Sequence, residues 1–142
     1  VSVNMYNFKK PKRDMAITAF AGPLSNMLLA AFCLFLYGLL WKTLYTSSLG
    51  GTLLDLLQIT AQLSVSLGVF NLIPIPPLDG SKVLFSLLPN RMYLRIMMYE
   101  RFGVIFLMLI LFSGVLSGPL YRITSAVYGS LFPIAIFAFK LV

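Results

Sequence analysis

The chain has 142 residues, of which 59% are hydrophobic and only 11% charged, with a mean hydropathy of +0.91; an ordinary soluble domain carries about 25% charged residues. Eleven Lys and Arg against four Asp and Glu give a net charge of +7, but the basic residues flank apolar runs and do not interleave with aromatics, which argues against a nucleic-acid surface. A single cysteine, Cys33, excludes an intramolecular disulfide and a thiolate metal cluster, and the lack of any histidine removes the commonest catalytic base and metal ligand from these residues.

The apolar residues come in long runs, so the expected fold is an all-α polytopic membrane protein in contact with the lipid bilayer, with residues 1–142 forming one membrane domain of about four transmembrane helices. Residues Val1 to Phe8 (VSVNMYNF) alternate in part with period two and predict a short strand or extended segment. The chain opens on Val1 without the basic-then-apolar order of a signal peptide, so a preceding segment is expected. Lys9 to Asp14 holds four basic side chains around Pro11 and predicts a membrane-surface loop.

No charge interrupts Met15 to Trp41, a stretch long enough to cross roughly 30 Å of hydrocarbon. Thr43 to Thr52 reads as a loop, and Leu53 to Ile73 as a second span. Pro74, Pro76 and Pro77 then remove backbone donors and restrict their predecessors, so IPIPPLDG must be irregular chain, which at membrane depth has to line a cavity or pack on protein. Ser81 to Leu88 predicts a short helix, Pro89 to Arg101 a basic surface segment, Phe102 to Val115 a third span and Ile123 to Phe139 a fourth. In this alternating scheme Lys9, Lys10, Lys12, Arg13, Lys82, Arg91, Arg95, Arg101 and Lys140 share one side, with Lys42 and Arg122 opposite. The positive-inside rule then makes the N-terminal basic loop and the Asp79 end cytoplasmic, in a cytoplasmic or plasma membrane.

Asp79 is the most informative acid, because a carboxylate after a proline-stiffened turn at the end of a span needs a partner. A metal is one such partner, since a carboxylate is a normal zinc ligand. A turn and helix-capping role, favoured by Asp-Gly, is the competing reading. Lys82 stands three residues on, as a pairing candidate or a headgroup contact, while Asp55 and Glu100 read as interfacial.

AGPLSN (Ala21 to Asn26) and NLIPIPPLDGSKVL (Asn71 to Leu84) resemble the site-2 protease family of intramembrane zinc metalloproteases, and the opening VSVNMYNFKKPKRDM is similar to the stretch that joins the family's catalytic helix to its Ala-Gly-Pro helix. The resemblance implies that the chain is the C-terminal part of such a core and lacks the His-Glu-x-x-His helix, so that no residue of this chain is the catalytic base. It implies Asp79 as the third protein ligand of a zinc ion, with water in the fourth position. Asn71 matches a substrate-facing position, where an amide can donate to a developing oxyanion; bonding to the carbonyls freed by Pro74 is the alternative. Asn26 matches a site suited to an interhelical hydrogen bond, Gly22 and Pro23 a close approach or kink, and Pro74, Pro77 and Gly80 the motif's framework. The residues 1–8 match an edge on which a substrate can be held extended; an ordinary surface connection is the alternative.

The implied activity is hydrolysis of peptide bonds in or near transmembrane segments of protein substrates, by an enzyme of which this chain alone would be inactive. A non-catalytic pseudoprotease or membrane scaffold that binds transmembrane segments, and a transporter subunit in which Asp79 titrates or binds a cation, are the rival readings.

Overall fold

The computed structural model describes residues 11–142, which are entirely helical apart from turns. The extended segment expected over residues 1–8 lies outside the described residues. Seven helices follow in order: α1 (Pro11–Leu44), α2 (Ser48–Asn71), α3 (Asp79–Phe85), α4 (Asn90–Met98), α5 (Glu100–Ser113), α6 (Ser117–Leu131) and α7 (Pro133–Leu141).

Arg13–Leu44, Ser48–Asn71 and Ser117–Leu141 are each long and apolar enough to cross a bilayer, and the pair Asn90–Ile96 and Glu100–Ser113, bent by 61°, makes a fourth if it is one broken span. The chain is therefore a multi-pass membrane protein of three to four spans. Its exposed Ile17, Leu28, Phe32, Leu49, Leu63 and Phe112 form no soluble surface and suit hydrocarbon.

Helix α1 begins earlier than the charge pattern suggested. Pro11 occupies its first position, where a missing N–H costs nothing, so the second half of the expected basic loop is the helix's first turn. Pro23 lies inside α1 and is fully buried. The expected basic surface segment is likewise helical: α4 (NRMYLRIMM) sets Arg91 and Arg95 on an amphipathic helix with Tyr93 buried.

The chain divides into two compact units. The first comprises the described residues up to Leu24 together with Val69–Pro119. It holds the start of α1, the end of α2, the proline loop, and α3 to α5. Gly80 is buried there, and a Cβ on it would collide with the carbonyl groups of Leu72 and Ile73. Only glycine lets α3 fold back so closely on the carbonyls of the two residues that follow α2.

The second unit comprises Ser25–Gly68 and Leu120–Val142. Its buried side chains recur at helical spacing, as Ala30, Cys33 and Leu34 on α1 and Leu54, Ala61 and Val65 on α2, with Ala135 and Ala138 on α7. Small residues dominate because helices in a bilayer associate through close backbone approach. Gly38 is such a point, with the backbone of Ala135 where its side chain would be. Four residues further along each helix, the Lys42 ammonium sits 4.6 Å from the centroid of the Phe139 ring. Equal steps in the same direction mean that α1 and α7 pack parallel.

That packing corrects one part of the charge scheme. An alternating four-span order makes the last span antiparallel to the first and sends Lys140 to the side opposite Lys42. In the structure Lys140 directly follows the residue that Lys42 covers, so the two lysines share an end.

Candidate metal-ligand site

The site expected from the sequence is built at the break after α2. The helix ends at Asn71, and the chain then turns on short local bonds: Leu72 N–H donates to the Val69 carbonyl at 3.1 Å, Ile73 N–H to Phe70 at 3.1 Å and Ile75 N–H to Ile73 at 2.8 Å. The Pro76–Pro77 peptide is cis, and the turn around it is closed by Leu78 N–H donating to the Ile75 carbonyl at 2.9 Å. Irregular chain follows from the three prolines, and packing from within the same unit supports it: a Cβ on Gly103 of α5 would stand 2.7 Å from both Cβ and the carbonyl oxygen of Pro76.

Asp79 is the first residue of α3 and is half-buried. The residue before it, Leu78, holds the capping position with extended backbone and makes no side-chain capping bond. The Ser81 hydroxyl, fully buried, donates to the Leu78 carbonyl at 2.7 Å. Among the described residues the Asp79 carboxylate accepts no hydrogen bond and forms no ion pair, so neither the capping role nor a pair with Lys82 is realised. The only salt bridge among the described residues joins Arg13 and Asp14 at 3.9 Å.

What the carboxylate does face is α1. A Cβ placed on Gly22 would stand 3.0 Å from Oδ2 of Asp79. The Ala-Gly-Pro segment and the Pro-Pro-Leu-Asp-Gly segment, far apart in sequence, thus meet at one point, with the buried Pro23 next along α1. Asn71 is half-buried at the end of α2, and its amide makes no hydrogen bond among the described residues, so the alternative of tying down carbonyls freed by Pro74 is not realised. Pro74 and Pro77 are exposed on the loop. Asn26 lies in the second unit, half-buried, and makes no interhelical hydrogen bond among the described residues. Asp55 is exposed on α2.

Nothing in the sequence around Gly103 points to the proline loop. A glycine in an apolar run carries no signal of what it touches, and only the fold brings it to Pro76.

The donor set does not hold a zinc ion by itself. The sequence contains no histidine, and among the described residues no three Cys, Asp or Glu side chains come together as a metal-binding group. Asp79 offers one carboxylate, where a zinc site needs three or four protein ligands.

Comparison with known proteins bears on the same stretch. The family model for peptidase family M50 matches residues 42–117, which include Asn71, Pro74, Asp79 and Gly103. The chain is 33% identical over 116 residues to YwhC of Bacillus subtilis (strain 168), a protein assigned by name only to the zinc metalloproteases; the match covers 77% of this chain and 51% of that protein. Two proteins with similarly assigned names, SPs1691 of Streptococcus pyogenes serotype M3 (strain SSI-1) and M6_Spy1682 of serotype M6 (strain ATCC BAA-946 / MGAS10394), are each 53% identical over 34 residues, 24% of this chain and 8% of theirs. The chain thus spans about half the length of one relative and a small part of the others. No solved structure matches it significantly.

Proposed function

This chain belongs to peptidase family M50, and from that premise we propose that it supplies Asp79 to the zinc site of an intramembrane metalloprotease of the site-2 type, which hydrolyses peptide bonds in or near transmembrane segments of other membrane proteins. The observation that carries the reading is the half-buried carboxylate of Asp79, without a partner among the described residues and set against Gly22 of α1. A carboxylate held in that way is costly unless something cationic completes it.

The histidine ligands and the glutamate base would come from residues outside these 142. Zinc, when bound, supplies an activated water and a Lewis acid for hydrolysis. The chain's own residues hold and orient: Gly22 leaves room for the carboxylate, Gly80 and the proline loop fix where α3 starts, and the Asn71 amide is available to donate to a substrate carbonyl. The irregular loop beside the site suits a substrate helix that must be locally unwound. On the positive-inside rule, the end bearing Asp79 and the N-terminal basic cluster faces the cytoplasm.

The test is cleavage of a transmembrane substrate by the complete protein reconstituted in vesicles, wild type against Asp79→Asn. Loss of cleavage with retained folding is the expected result. Cleavage at the wild-type rate overturns the reading, and cation flux through the vesicles that Asp79→Asn abolishes replaces it with transport.

A further inference from the structure

Away from the proline loop, within the second unit, α1 and the α6 to α7 segment leave an open cavity of about 320 Å³. Tyr37, Gly38 and Trp41 line it from one side and Phe132, Ile136 and Phe139 from the other. The walls are almost wholly apolar, and one rim is cationic. Lys42 holds its ammonium 4.6 Å from the Phe139 ring centroid, and Lys140 follows on α7 at the same end. Among the described residues neither lysine forms an ion pair. This unit has three basic residues, Lys42, Arg122 and Lys140, against a single acid, Asp55, which is exposed on α2.

The depth of the rim is marked by aromatics. Tyr37 and Trp41 pack with ring centroids 5.3 Å apart, and Trp41 and Tyr45 stack at 6.3 Å, running along α1 to its end. Trp and Tyr gather where hydrocarbon gives way to headgroups. An apolar groove below that level and unpaired ammonium groups at it match an amphiphile with an apolar tail and a negative head.

We propose that this cavity binds one phospholipid with an anionic headgroup, an acyl chain lying along Trp41, Ile136 and Phe139 and the phosphate placed between Lys42 and Lys140. A transmembrane helix is a poorer occupant. Helices dock in bilayers on small residues, and the two small residues of the lining, Gly38 and Ala135, are already packed on each other. Charge complementarity separates an anionic lipid from a zwitterionic one, since each lysine near a membrane surface contributes to anionic attraction.

The test is native mass spectrometry of the intact protein released from bilayers of equal phosphatidylglycerol and phosphatidylcholine. The wild type is expected to retain one phosphatidylglycerol in roughly thirtyfold preference over phosphatidylcholine, the size that two such lysines allow. Lys42→Ala with Lys140→Ala removes the preference, and Lys42→Arg with Lys140→Arg preserves it. Ile136→Trp, which fills the groove at a half-exposed position, lowers retention of both lipids. Equal retention of the two lipids by wild type, or an unchanged preference in the double alanine variant, overturns the proposal. So does an Ile136→Cys variant that cross-links to a second copy or to another protein segment, because a protein then occupies the groove. None of these outcomes depends on whether Asp79 binds zinc.

Discussion

Oδ2 of Asp79 lies 3.0 Å from the point at which a Cβ on Gly22 would stand. This distance is tighter than ordinary van der Waals contact, so the space beside the carboxylate exists only because position 22 has no side chain. Asp79 begins α3 after a loop of prolines and Gly22 sits in the middle of α1, so the position of the carboxylate depends on both.

Gly22→Ala is therefore expected to push the Asp79 side chain aside without unfolding the protein, since the group it meets is the far end of a side chain. In the complete protein, cleavage should fall by about tenfold for Ala, and further for Val, because small misplacements of positioning groups are costly. A kinetic assay paired with a thermal melt checks this. A Gly22→Ala variant with unaltered cleavage would show that the contact does not position Asp79.

Gly80→Ala meets backbone instead, the carbonyl groups of Leu72 and Ile73. Backbone has no rotamer to change, so the expected effect is on stability, a loss of about 1–3 kcal/mol by equilibrium unfolding in detergent.

Gly103→Ala tests whether α5 braces the loop. A methyl group there would press on Pro76, moving the chain three residues before Asp79. Cleavage by the complete protein should fall by about tenfold, whereas Gly129→Ala in α6, which meets nothing within 4 Å, should leave cleavage unchanged and add about 0.5–1 kcal/mol of helix stability.

The Tyr128 hydroxyl is buried without a hydrogen-bond partner among the described residues, while its ring packs 6.1 Å from that of Phe132. Tyr128→Phe keeps the ring contact and removes the unsatisfied group, so stability is expected to stay within about 0.5 kcal/mol of wild type or to rise. A loss beyond that, measured by the same unfolding assay, would mean that the hydroxyl does have a partner.

Local chemistry made much of this legible. A run without charge marked α1, a run whose one charge is Asp55 marked α2, and Pro74, Pro76 and Pro77 marked where α2 must stop, because a missing donor and a restricted predecessor act within a few residues. Asp79 was legible as a carboxylate in need of a partner for the same reason. Contacts between segments far apart in sequence were not. Nothing local announces that Gly103 meets Pro76 or that Gly38 admits Ala135. The parallel packing of α7 on α1 escaped the charge pattern because alternation assumes that every apolar run crosses straight, whereas α4 and α5 are bent by 61°. Pro11 read as loop because basic residues surround it, although proline at a helix start is favourable.

The most direct measurement is the zinc content of the complete protein, purified as wild type and as Asp79→Ala and assayed by elemental analysis under equal metal exposure. One zinc per wild-type chain and a large loss in the folded Asp79→Ala variant are the results expected if this carboxylate is a ligand; full zinc content in that variant would contradict it.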